Sequence, residues 1–112
     1  MSQLSKILRD VTDNGLMFHC PGCNVKHLVR YGEGDGPRWQ WNGDVDKPTF
    51  SPSILIRYPR YVPPATPEHM DVGPQIKINI VCHSFIIDGC IQYLTDCTHT
   101  LAGQTVPLPE WT

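Results

Sequence analysis

No hydrophobic run in the 112-residue sequence approaches the roughly 20 consecutive apolar residues that a membrane helix requires, so no membrane role is expected. A charge surplus is also missing. Nine basic and eleven acidic side chains are scattered along the chain and give a formal net charge of -2. With no basic stripe to meet a phosphate backbone, no nucleic-acid partner is expected. Several enzyme signatures are absent. There is no His-Glu-x-x-His, and nothing matches the His-x-Glu plus Cys-x-x-Cys pairing of zinc deaminases. The glycine-rich stretch from Gly32 to Pro37 lacks the Lys-Ser/Thr ending of a phosphate-binding loop. The first residues interleave Lys6, Arg9, Asp10 and Asp13 with apolar side chains, unlike a secretory signal. A cytoplasmic location is the expectation.

What the chain does have is punctuation and thiols. Eleven prolines and nine glycines cut it into short segments that suit strands better than long helices. Its length supports one domain with one modest core, taken as residues 1–112. The expected fold is mostly β, a small antiparallel sheet with a zinc knuckle and one short N-terminal helix. That helix is placed at 3–13, because Leu4, Ile7, Leu8 and Val11 recur at helical spacing and Asn14-Gly15 offers a stop. Short β-prone stretches flank Cys20-Pro21-Gly22-Cys23. Arg38 to Trp41 alternates and closes on Asn42-Gly43, Ser53 to Tyr58 reads as a strand, and 59–74 reads as a proline-rich surface loop. Ile76 to Cys82 alternates like a strand with one buried face, and Asp88-Gly89 between two β-prone runs is the clearest hairpin signal. The segment from Leu101 onward is expected to pack as extended chain against the sheet, and the three tryptophans are read as core.

Five cysteines are an odd number, and in a reducing compartment a Cys-x-x-Cys beside further Cys and His residues points to metal rather than disulfides. Zinc takes four ligands from thiolate and imidazole, and the knuckle turn presents Cys20 and Cys23 to one ion. The other two ligands must come from a distance. Cys82-His83 and Asp96-Cys97-Thr98-His99 are candidates, and His27 is another by its spacing from the knuckle. In a regular strand Cys82 and His83 point to opposite faces, so both reach one ion only at a bulge or strand end. Asp96 could hold a histidine ring by accepting its N–H.

Cys20 to Cys23 with His27, the stretches 36–44 and 48–54, Cys82 to Ile86 with Asp88-Gly89, and the stretch 96–109 together resemble a family of small phage and prophage proteins of unknown function, often mislabelled ammonia monooxygenase. More distantly, the chain looks like the predicted metal-binding proteins that accompany bacterial ubiquitin-like conjugation genes. The resemblance implies zinc, a phage origin and the host cytoplasm. The distant likeness implies the ligand set Cys20, Cys23, Cys82 and His83; from the residues themselves His99, Asp96, Cys97 and His27 stay open as alternative ligands or supporting groups, although the phage resemblance argues against Cys97 as a ligand.

Two functional expectations follow. In the first, a structural Zn2+ supports a module that binds a host or phage protein. In the second, the chain is a zinc hydrolase with an open metal position, and Asp96 or His99 serves as general base.

Overall fold

The computed structural model describes residues 2–62 and 76–111, and within them the chain is all β. Nine strands form two antiparallel sheets. The first contains β1 (Ser2–Gln3), β2 (Arg9–Val11), β3 (Gly15–Cys20) and β4 (Val25–Arg30), in that order. The second contains β5 (Gln40–Trp41), β6 (Phe50–Val62), β7 (Ile76–Ile87), β8 (Cys90–Tyr93) and β9 (Thr105–Pro107), also in sequence order. One core lies between them, built from Leu8, Leu16, Phe18 and Val29 on one side and Phe50, Ile54, Ile86, Ile91 and Tyr93 on the other.

The expected helix at 3–13 is not there, and the segment forms β1, a turn and β2 instead. An isolated helix of that length is marginal, so whatever else can satisfy its backbone decides the outcome. Ser5 Oγ accepts hydrogen bonds from the N–H groups of Ile7 and Leu8 at 3.2 and 3.1 Å, closing a turn that a helix would have to give up. β2 then pairs with β3 from Arg9↔Met17 to Val11↔Gly15. Asp13 and Asn14 both adopt positive φ, so Asn14-Gly15 belongs to a hairpin turn rather than to a helix stop. Of the apolar stripe, Leu8 is buried while Leu4 is exposed.

The Asp88-Gly89 hairpin forms as the sequence predicts. Both residues have positive φ, and β7 pairs with β8 from Ser84↔Tyr93 to Ile87↔Cys90. Strand β6 runs past Tyr58 through Pro59 to Val62, so the first residues of the expected loop are strand. Residues 63–74 of that loop lie outside the described part of the chain. Ile76 and Ile78, expected on a buried face, are 70% and 41% exposed, because this end of β6 and β7 projects as an arm beyond the core. Trp39, Trp41 and Trp111 are half-buried, with Trp39 and Trp41 packed against the core's margin.

Candidate functional site

The knuckle turn closes by backbone geometry. Asn24 takes a positive φ, its N–H donates to the Cys20 carbonyl at 2.8 Å, and the Cys23 N–H lies 3.4 Å from Cys20 Sγ. In the next strand the β3–β4 register sets His27 opposite Phe18, which turns its ring inward edge-on to that phenyl group. Cys82 arrives from β7 in the other sheet. The ligand atoms of Cys20, Cys23, His27 and Cys82 all lie within 4.8 Å of one another, and all four residues are buried.

These four fit a cation. A tetrahedral ion with metal–sulfur bonds of about 2.3 Å holds its sulfurs about 3.8 Å apart, and Cys20 Sγ lies 3.8 Å from Cys82 Sγ. His27 Nε2 is buried without a hydrogen-bond partner, and a buried imidazole nitrogen of that kind is suited to metal ligation. Without an ion the thiols share protons unevenly. The contact with Cys82 Sγ holds the Cys20 thiol well below its ordinary range, with His27, Tyr93 and the Cys23 N–H adding to the effect against burial. Cys82 is pushed up, first by that same contact and then by burial, and Cys23 is pushed up mainly by burial. A dication would ionise all three.

The surroundings hold the cluster. Tyr93, buried at the end of β8, places its hydroxyl 3.1 Å from Cys20 Sγ and 3.0 Å from the Gly22 N–H, which donates to it. Burial and the Cys20 contact keep that phenol protonated, well above its ordinary range. The His99 ring packs edge-on against Tyr93 and directly over Gly22, where a Cβ would sit 2.3 Å from it. His99 Nδ1 accepts from the Leu101 N–H, while its Nε2 is buried and unpartnered. Cys82, Cys97 and His99 form a second group with ligand atoms equally close. It shares Cys82 with the first, and Cys97 Sγ already bridges the N–H and C=O of His83, each at 3.2 Å.

His83 faces away from the cluster. Alternation along β7 sends Cys82 inward and the next side chain to the opposite face. There, His83 Nδ1 lies 3.0 Å from Asp96 Oδ2, and Nε2 lies 3.1 Å from Ser53 Oγ. The imidazole is about three-quarters buried and the carboxylate half-exposed. With Nδ1–H donating to Asp96, Nε2 is left to accept the Ser53 hydroxyl proton. Three devices fix this arrangement. The Leu94 N–H and Cys97 thiol both donate to the His83 carbonyl. The register between β6 and β7 shifts between Phe50↔Ile86 and Ile54↔Ser84, an irregularity that carries Ser53 beside the imidazole. The Trp39 indole N–H then donates to the Ser53 carbonyl at 3.3 Å.

The residues named from sequence are therefore divided, with Cys97 on the His83 backbone and His99 packed over Gly22 beside the cluster. Cys20, Cys23, His27 and Cys82 gather as possible metal ligands, while His83 and Asp96 pair with each other. Sequence reasoning missed Ser53. Its motif at 48–54 was legible, but nothing local singled out that hydroxyl, which lies thirty residues from His83. A serine hydroxyl, an imidazole that can take its proton and a carboxylate that orients the ring are the parts of nucleophilic acyl transfer.

A family model described as "Bacterial ubiquitination-like system serine protease (BubE)" matches residues 2–94. That span holds Ser53, His83 and the four clustered ligands, and it ends just before Asp96. No curated protein and no solved structure matches the chain.

Proposed function

The chain belongs to the family described as bacterial ubiquitination-like system serine protease (BubE), and we propose that it is itself a peptide-bond hydrolase with Ser53 as nucleophile, His83 as general base and acid, and Asp96 as the group that orients His83. The carrying observation is the continuous contact from Ser53 Oγ to His83 Nε2 at 3.1 Å and from His83 Nδ1 to Asp96 at 3.0 Å. In the forward step Ser53 Oγ bonds to the scissile carbonyl carbon as its proton passes to His83 Nε2. The imidazolium, stabilised by Asp96, gives that proton to the departing amine as the C–N bond breaks. Water then attacks the acyl-serine, losing a proton to His83. That proton returns to Ser53 Oγ as the carboxylic product leaves.

The metal centre supports this site without taking part in the chemistry. Three thiolates and one imidazole favour zinc, and four protein ligands make the closed set of a structural ion. Cys20, Cys23 and His27 belong to one sheet and Cys82 to the other, so the ion would pin the sheets together one residue from His83. The family description supports, as partner, a protein of a bacterial ubiquitination-like system, met in the cytoplasm of the bacterium or of a phage host.

A fluorophosphonate probe tests the assignment. Intact mass and peptide mapping should find one adduct, on Ser53. Ser53→Ala should abolish it while metal content and melting temperature stay unchanged. An adduct on another residue, or none on folded, metal-loaded protein, overturns the reading.

A further inference from the structure

The arm formed by β6 and β7 stands beside Ser53 with one edge uncovered. Strand β5 pairs with β6 only at Phe50 and Ser51, and among the described residues no strand pairs with the outer side of β6 beyond Ser53. Two observations show which backbone groups face out. The Ser53 carbonyl accepts from Trp39, which leads into β5, so it points away from β7. Pro59, six residues on, has no N–H to give, and a proline fits within a long strand where the missing donor faces away from the ladder. Leu55, Arg57 and Tyr61 share that parity, so their N–H and C=O groups are directed outward.

The side chains of this parity point the other useful way, onto the face that carries Ser53 and His83. Arg57, Pro59, Lys77, Asn79 and Val81 of this parity, with Tyr58 and Ile80 between them, line a hollow of about 480 Å3. The described arm carries Arg57, Arg60 and Lys77 and no carboxylate, although the whole chain has a net charge of -2. Leu55 and Tyr61 are 45% and 48% exposed.

We propose that the outward edge of β6 from Leu55 to Tyr61 binds the substrate as an extended peptide, antiparallel to β6, with an acidic side chain seated between Arg57 and Lys77. This rests on the assignment of Ser53 as nucleophile. An antiparallel guest continues the sheet's own pairing. Its acyl side runs along the arm and its scissile carbonyl reaches Ser53. Leu55 and Arg57 each exchange two hydrogen bonds with the guest, whereas Pro59 can only accept, so pairing weakens beyond it. Main-chain bonds of this kind give affinity, and the hollow gives selectivity.

The test uses peptide boronic acids, which form a reversible adduct with a nucleophilic serine, on the full-length, metal-loaded protein. Acetylated glycine boronic acids extended by one to five alanines should bind more tightly with length, by about tenfold or more over the series. N-methylation of each amide in turn should weaken binding at every second position only. Replacing one alanine by Asp should improve binding, replacing it by Lys should weaken it, and Arg57→Glu should reverse that preference. Boronates that modify Ser53 with equal affinity at every length overturn the edge proposal and leave Ser53 intact as nucleophile. If no boronate and no fluorophosphonate modifies Ser53, the nucleophile assignment fails and the edge proposal falls with it.

Discussion

Metal removal separates a structural ion from a catalytic one. The candidate ligands come from β3, the knuckle turn and β4 in one sheet and from β7 in the other, so loss of the ion leaves three buried thiols and the unpartnered His27 Nε2 at the join. Structural zinc in knuckle-type sites contributes roughly 10 to 16 kcal/mol of apparent binding free energy, against a total stability of about 5 to 15 kcal/mol for a domain. Those ranges overlap, so stripping the metal should unfold the domain or leave it marginal. Fluorophosphonate labelling of Ser53 should disappear with the fold, although Ser53, His83 and Asp96 are chemically untouched. Circular dichroism and labelling, followed together during chelator titration, should report one transition. Refilling with Cd2+, which suits the same thiolates, should restore fold and labelling together to within a few-fold. Labelling that survives in a folded, metal-free protein would falsify the structural role. A Cd2+ form that is folded yet inactive would instead place the metal in the chemistry, as the zinc-hydrolase expectation requires.

Asp96→Asn should keep the fold but lower the acylation rate on the order of 10^4-fold, because an amide can donate to Nδ1 and so favour the wrong His83 tautomer, and no longer stabilises the imidazolium; stopped-flow labelling with a chromogenic ester measures it. Ser53→Ala should shift denaturation stability by no more than about 0.5 kcal/mol, since the residue is half-exposed and outside the core. Tyr93→Phe removes the hydroxyl shared by Cys20 and Gly22. It should cost about 1 to 3 kcal/mol in denaturant unfolding and about 10- to 100-fold in metal affinity by chelator competition. Gly22→Ala drives a methyl group into the His99 ring. A loss of about 1 to 3 kcal/mol is expected, and a companion His99→Ala should recover part of it.

Local features were readable where they depended on neighbouring residues alone. The knuckle needs only two thiols across a tight turn, and the Asp88-Gly89 hairpin needs only two positive-φ residues between β-prone runs. Even the opposition of Cys82 and His83 followed from strand periodicity. What each of them meets on its own face did not follow, because Ser53 and Asp96 approach His83 through strand pairing and a loop return far apart in sequence. The N-terminal segment shows the limit from the other side. The spacing of Leu4, Ile7, Leu8 and Val11 is helical, yet Ser5 captures the backbone N–H groups of Ile7 and Leu8, and β3 offers a partner for β2.

By itself, then, the sequence determined a small, mostly-β chain with a metal-binding knuckle, since composition, turn chemistry and thiol spacing act over a few residues. The tertiary structure decided which thiols and which imidazole gather. It sent His83 to Ser53 and Asp96 rather than to the metal, because the register shift in β6 and the alternation of β7 set which side chains share a face.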